Sequence, residues 1–182
     1  MALITETVAE YTRYYEEYKN AIYNYILYRV RYDRDTAEDL TADVFVKAFE
    51  NFEKYDRKRS FKTWIYTIAH NHLINHLTGI KPVVQLDDTL AANLEAQTEH
   101  YGDSLDHQMM MGQIGSLMAD LPEATRELLT LRFVNDLSNT EISEVLGKDE
   151  GAVRTGLSRA IAALRNKYTE HLSNRTSPHE SN

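Results

Sequence analysis

Four side chains in the C-terminal part of the chain have types and spacing suited to reading a nucleic acid: Arg154, Thr155, Ser158 and Arg159, within DEGAVRTGLSRAIAALRNK. A guanidinium can reach two guanine acceptors at once, and hydroxyls bond bases or phosphates. These four fall off the stripe Val153, Leu157, Ala160, Ile161 and Leu164, which helical spacing turns towards a core. From Gly151 to Tyr168 the charged residues are Arg154, Arg159, Arg165 and Lys167, with no acid among them, in a chain of net charge −8. That local reversal of sign fits a polyanionic duplex.

A second group lies in the first half. Lys54, Arg57, Lys58, Arg59 and Lys62 interleave with Phe52, Tyr55, Phe61, Trp64 and Tyr66. Cations that track phosphates beside rings that stack bases suit single-stranded nucleic acid. Asp39 and Asp43 share a helix face, and His72 and His76 stand four apart with His70 nearby. Carboxylate pairs and histidines at this spacing can serve acid–base or metal chemistry. Here no third ligand is in view, the glutamate of a zinc-protease motif is replaced by Leu73, Ile74 and Asn75, and the chain has no cysteine. No catalytic group, metal site or cofactor is therefore expected. The carboxylates read as a partner contact or a solvated face, and the histidines as core or phosphate-contact residues.

Helices must position all of these groups. Ser138 followed by Glu141 is a capping box, and Ile142, Val145 and Leu146 give the helix behind it an apolar face. Gly147 stops that helix and Asp149 caps the next one, so a short helix, a tight turn and a longer basic helix make a helix-turn-helix. Ahead of it, Leu121-Pro122-Glu123 opens a helix with Ala124, Leu128, Leu131 and Phe133 on its apolar side, and Asn135-Asp136 forms a turn. In the first half the spacing predicts helices over 5–30, 36–52 and 61–78. The first is rich in tyrosines that read as half-buried core residues with wet hydroxyls. Asp35 with Glu38 is the expected cap of the second, and Ser60 that of the third. The third turns Phe61, Trp64, Ile65, Ile68, Ala69, His72 and Leu73 inward and leaves Lys62, Thr63, Tyr66, Thr67, His70, Asn71 and Asn75 off that face. Gly79 and Pro82 close this part, and helix resumes near Asp106, with Met109 to Met111 as core filler.

With few glycines and prolines and 42% hydrophobic residues in 182, the chain reads as all-α. Two small helical domains, 1–80 and 106–182, are joined by a linker over 81–105. Between residues 81 and 117, Lys81 faces Asp87, Asp88, Glu95, Glu99, Asp103 and Asp106, so the excess acid sits there. No apolar run approaches the ~18 residues of a membrane span, and no secretory leader pattern is seen, so a soluble cytoplasmic protein with no membrane insertion is expected.

Two stretches carry a resemblance. LPEATRELLTLRFVNDLSNTEISEVLGKDEGAVRTGLSRAIAALR resembles the promoter-reading C-terminal domain of bacterial extracytoplasmic-function (ECF, group IV) sigma factors, and AEDLTADVFVKAFENFEKYDRKRSFKTWIYTIAHNHLINHL resembles their N-terminal domain. The resemblance implies that the chain binds core RNA polymerase and promoter DNA. It places Asp39, Leu40, Asp43 and Phe45 where the family docks on the polymerase clamp helices. It places Tyr55, Arg57, Lys58, Arg59, Phe61, Trp64, Tyr66, His70, Asn71 and Asn75 where the family melts and reads the −10 element. Arg154, Thr155, Ser158 and Arg159 lie where it reads the −35 duplex, and the acidic linker where it threads towards the active centre. An anti-sigma factor is an implied partner. Ala42-Asp43 stands where many relatives have glutamine-glutamate, and Gly156 where an arginine often follows the Arg154-Thr155 pair, which implies a weaker recognition helix and a lost phosphate contact. The alternative is a stand-alone helix-turn-helix regulator with a ligand-sensing N-terminal domain; a duplex-only reader has no need of the basic aromatic stretch 52–76.

Overall fold

A computed structural model describes residues 2–79 and 116–176, and the described residues form helices and turns without a strand. The expectations for the 81–105 linker and for Met109 to Met111 lie outside them. The N-terminal unit comprises α1 (Ala2–Arg29), α2 (Arg34–Glu50) and α3 (Phe61–Thr78). The C-terminal unit comprises a helical turn at 116–119, α4 (Glu123–Leu129), a π-helical continuation over Thr130–Val134, α5 (Asn139–Leu146) and α6 (Glu150–Thr176).

Caps set most of the ends. Ser60 Oγ accepts from Thr63 N, and Gly79 closes α3 in the left-handed conformation at φ 68. The Ser138–Glu141 capping box is present in both directions, and Gly147 ends α5 at φ 61. Asp149 Oδ1 accepts from Ala152 N at 3.0 Å. The second helix starts earlier than its sequence suggests: Asp33, not Asp35, accepts from Thr36 N. The cause is the turn before it, where Arg31 and Tyr32 both take positive φ, 58 and 66, and reverse the chain within two residues.

Ile22, Tyr25 and Ile26 of α1 pack with Leu40, Val44, Phe45 and Ala48 of α2 and with Ile65, Ala69 and Leu73 of α3. Leu128, Leu131, Leu137, Ile142, Val145, Val153 and Leu157 of the C-terminal unit join the same apolar cluster. The two units thus share one core, through α1 against α4 and its π continuation and through α3 against α5. Of the tyrosines in α1, Tyr11, Tyr25 and Tyr28 are fully buried while Tyr14, Tyr15, Tyr18 and Tyr23 are partly so.

Two residues expected on apolar stripes face solvent instead. Phe133 is 63% exposed. It follows Leu131 by two residues, roughly 200° around a helix, so helical spacing itself separates it from Leu128 and Leu131. Beyond it the Asn135 N–H bonds the Thr130 carbonyl, an i to i+5 step. Ile161 is likewise exposed, while Val153, Leu157 and Ala160 are buried.

Gly156 faces α4: a Cβ there would stand 2.8 Å from Leu128 Cδ1. An arginine at this position would run into Leu128 before it reached a phosphate, so the glycine serves the close approach of α6 to α4. Gly156→Arg should lower stability by up to about 2 kcal/mol, because overpacking costs roughly 1–3 kcal/mol and the better helix former returns about 1. Urea unfolding checks this, and a stabilised variant would contradict the packing account.

Candidate nucleic-acid interface

The C-terminal face is built as its spacing requires. Val153, Leu157 and Ala160 anchor α6 from below, and Arg154, Thr155, Ser158 and Arg159 are all exposed above. Arg154 has only a partial partner: its Nη2 lies 3.3 Å from Glu150 Oε1, in an exposed pair one turn apart. Such pairs contribute little, so the guanidinium can readily exchange partners.

The N-terminal group is arranged differently. Tyr55 and Phe61 are buried and fold the basic loop onto an aromatic cluster. Phe61 stacks on Tyr14 at 3.9 Å between ring centroids, Tyr55 lies edge-on to Phe61, and Trp64 packs 4.9 Å from Tyr55. The Tyr55 hydroxyl donates to the Arg59 carbonyl at 2.6 Å, which shapes the loop. Tyr55 and Phe61 therefore hold the loop rather than offer a stacking platform, and of the three only Trp64 keeps partial exposure. Arg57, Lys58 and Arg59 are exposed on the loop, with Arg57 paired to Glu10 through Nη2 at 2.7 Å.

Further along α3, Asn71 is exposed and Asn75 partly exposed. Tyr66, expected off the core face, is 1% exposed, and Thr63 is buried too. The C-terminal unit covers this side of α3. A small cleft lined by Arg59, Ser60, Thr63, Trp64 and Thr67 is completed by Glu144 of α5.

Further along α3, at His70, lies a cluster that sequence reasoning missed. Arg29 at the end of α1 has a fully buried side chain and pairs with Glu127 and Glu123 of α4. Glu127 Oε1 also accepts from the Tyr25 hydroxyl at 2.8 Å and from His70 Nδ1 at 2.7 Å. Burial by itself would raise the Glu127 carboxyl, but the His70 bond and the Arg29 charge outweigh it and hold it at about 2. Burial likewise opposes the Arg29 charge, and Tyr25, Glu127 and Glu123 more than restore it. Arg126 donates to the Arg29 carbonyl at 3.2 Å. The one available signal was Arg29 itself, at a helical position in register with Ile22, Tyr25 and Ile26.

On α2, Asp39 and Asp43 are exposed, whereas Leu40 at 5% and Phe45 at 3% exposure are core residues that steady the helix from inside. The apolar side chains reaching solvent beside the two aspartates are Val46 and Phe49, which helical spacing from Asp39 and Ala42 puts on the same face. His72 joins α2 to α3: its Nε2–H donates to Asp43 Oδ2 at 3.1 Å, and Lys47 Nζ donates to Nδ1. No group of three or more His, Cys, Asp or Glu that could hold a metal is found among the described residues.

Known proteins share both halves of this arrangement. Residues 14–81 match sigma-70 region 2, and residues 111–164 match sigma-70 region 4. The chain is 30% identical to the ECF RNA polymerase sigma factor SigW of Bacillus subtilis over 161 residues, covering 84% of this chain and 86% of that one. It is 32% identical to the RNA polymerase sigma factor YlaC of the same organism, covering 86% and 90%. The chain belongs to the ECF RNA polymerase sigma factors. A further relative, the ECF sigma factor BldN of Streptomyces coelicolor, is 32% identical, and the match spans 84% of this chain and 58% of BldN. The fold resembles that of the sigma factor RpoE of Bartonella quintana, solved with the anti-sigma factor NepR, at TM-score 0.65 and 17% identity, covering 88% of this chain and 97% of that one. It also resembles CnrH, solved with the cytosolic domain of CnrY, at TM-score 0.65 and 18% identity, covering 88% of each. A stand-alone helix-turn-helix regulator is disfavoured, because the region 2 match accounts for the N-terminal half of this sigma factor. No described helix is long and apolar enough to cross a membrane.

Burial and the Lys47 charge hold the His72 imidazole below its usual value, so the folded chain favours the neutral ring. That contribution to stability is fully present above about pH 6.5, the unfolded value, and is lost as pH falls below it. The difference in urea midpoint between this sigma factor and His72→Gln should therefore shrink from pH 8 to pH 5; a difference independent of pH would contradict the assignment.

Proposed function

We propose that this group IV ECF sigma factor recruits core RNA polymerase to promoters, reading the −35 element as duplex with α6 and opening the −10 element against α3 and the loop before it. The carrying observation is the pairing, on one chain, of a solvated recognition face with a second, separate cation-bearing helix. Arg154, Thr155, Ser158 and Arg159 supply base and phosphate contacts in the major groove. Arg57, Lys58 and Arg59 track the displaced strand, Trp64 offers ring surface, and Tyr66, His70, Asn71 and Asn75 bond unstacked bases. A duplex-only reader needs the first face and not the second.

Asp39 and Asp43, with Val46 and Phe49 beside them, form the strip that docks on the clamp helices, while Leu40 and Phe45 support it from the core. The acidic linker over 81–105, between units at 1–80 and 106–182, threads towards the polymerase active centre. The chain performs no catalysis of its own and works in the cytoplasm beside the polymerase. An anti-sigma factor is its inhibitory partner, a reading supported by the two fold neighbours solved with bound CnrY and NepR. Run-off transcription of genomic fragments with core polymerase tests the proposal: discrete starts that require the chain are expected, and no stimulation of core enzyme would overturn it.

The two faces should fail differently. Arg154→Ala should weaken promoter binding of the holoenzyme by about 1–3 kcal/mol and relax specificity in the upstream element, read by footprinting. Asn71→Ala should leave core binding intact and reduce permanganate reactivity of the −10 thymines.

A further inference from the structure

We infer that the two units of the free chain are latched together by the Arg29–Glu127 cluster in a closed form that covers Tyr66 and most of His70 on the melting face of α3 while leaving the duplex-reading face of α6 open. The inference rests on the proposed −10 role of α3 and goes beyond it.

Several links cross between the units, and three of them lie at or beside residues proposed to meet the displaced strand. His70 of α3 is bound to Glu127 of α4, in the same knot as Arg29 and Tyr25. Lys62 at the start of α3 donates to the Asp136 carbonyl at 3.0 Å and lies 3.5 Å from Glu141 Oε1. Asn135 Nδ2 donates to the Ala21 carbonyl at 2.9 Å, in the turn that shields Tyr66. Glu144 adds a carboxylate to the cleft that contains Arg59 and Trp64. The acidic edge of α5 thus stands where the phosphates of a single strand would have to lie.

A strand cannot reach the buried Tyr66, or take the His70 nitrogen held by Glu127, until α4 and α5 have moved away. Arg154, Thr155, Ser158 and Arg159 are already exposed to solvent and need no such movement. Closure therefore weakens strand capture without blocking duplex contact. A ligand that binds only the open form has its apparent affinity reduced by the open fraction. Polymerase that holds the two units apart would remove that penalty before the promoter opens.

The test uses the full chain without polymerase. The protein has no cysteine, so spin labels can be placed uniquely at Glu50→Cys and Lys148→Cys, both exposed and one on each unit. Glu127→Gln removes the buried charge but keeps the side-chain shape. It should lengthen and broaden the inter-label distance, speed amide exchange over residues 61–75, and tighten binding of a fluorescent single-stranded oligonucleotide of random sequence by roughly tenfold. Arg29→Met with Glu127→Leu replaces the pair by apolar groups of similar size, and should restore the short distance and the weak binding. If Glu127→Gln loses helical circular dichroism, Glu144→Gln takes its place, with a smaller gain in single-strand binding and an unchanged distance. A short distance in a folded Glu127→Gln variant, an opened variant with no gain in binding, or no gain from Glu144→Gln would each overturn the latch. Run-off transcription with core polymerase is a separate readout, so loss of the latch leaves the sigma-factor reading standing.

Discussion

A guanidinium withdrawn from water is the constraint on which the closed structure depends. The Arg29 side chain has no solvent exposure, and an isolated buried charge is too costly to persist. Its neutralising carboxylates come from α4, in the other unit, as Glu127 and Glu123. The N-terminal bundle by itself would leave that charge facing solvent, so the electrostatics of one unit are completed by the other. The shared apolar cluster packs the units together, and a carboxylate oxygen with three converging donors adds direction, because each bond restricts a different one.

How much of the fold is legible in the sequence depends on the range of the forces involved. The helix-turn-helix can be read because Ser138, Glu141, Gly147 and Asp149 act on backbone within three or four residues of themselves. The same holds for Ser60 and Gly79 at the ends of α3. Asp33 displaces Asp35 as the cap of α2 because the paired left-handed residues Arg31 and Tyr32 bring it into position, and neither is a glycine that would advertise such a turn. Phe133 emerges on the other side from its expected one because it follows Leu131 by only two residues, roughly 200° around a helix, so grouping it with Leu128 and Leu131 by apolar character overrides the spacing. Tyr66 and His70 read as open in the sequence because their covering partners are distant along it; His70 and Glu127 are 57 residues apart.

The candidate nucleic-acid residues divide along the same line. The face on α6 depends only on helical periodicity, so all four of its members emerge exposed. The N-terminal group mixes two kinds of aromatic residue that composition cannot separate. Tyr55 and Phe61 shape the loop that presents Arg57, Lys58 and Arg59, whereas Trp64 keeps a surface of its own. On α2, an apolar residue expected as a contact can be a support: Leu40 and Phe45 lie inside, and Val46 and Phe49 lie outside.

The separation of Arg29 from Glu127 along the chain also has a temporal side. A ribosome delivers Arg29 98 residues before the carboxylate that neutralises it. All three helices of the first bundle, through Thr78, are complete before α4 is made. During that interval the guanidinium must stay hydrated at the end of α1, and the bundle around it is unfinished at that corner. Domains that emerge first can fold first. The nascent chain therefore passes through a stage at which the strand-capturing side of α3 has formed and nothing yet covers it.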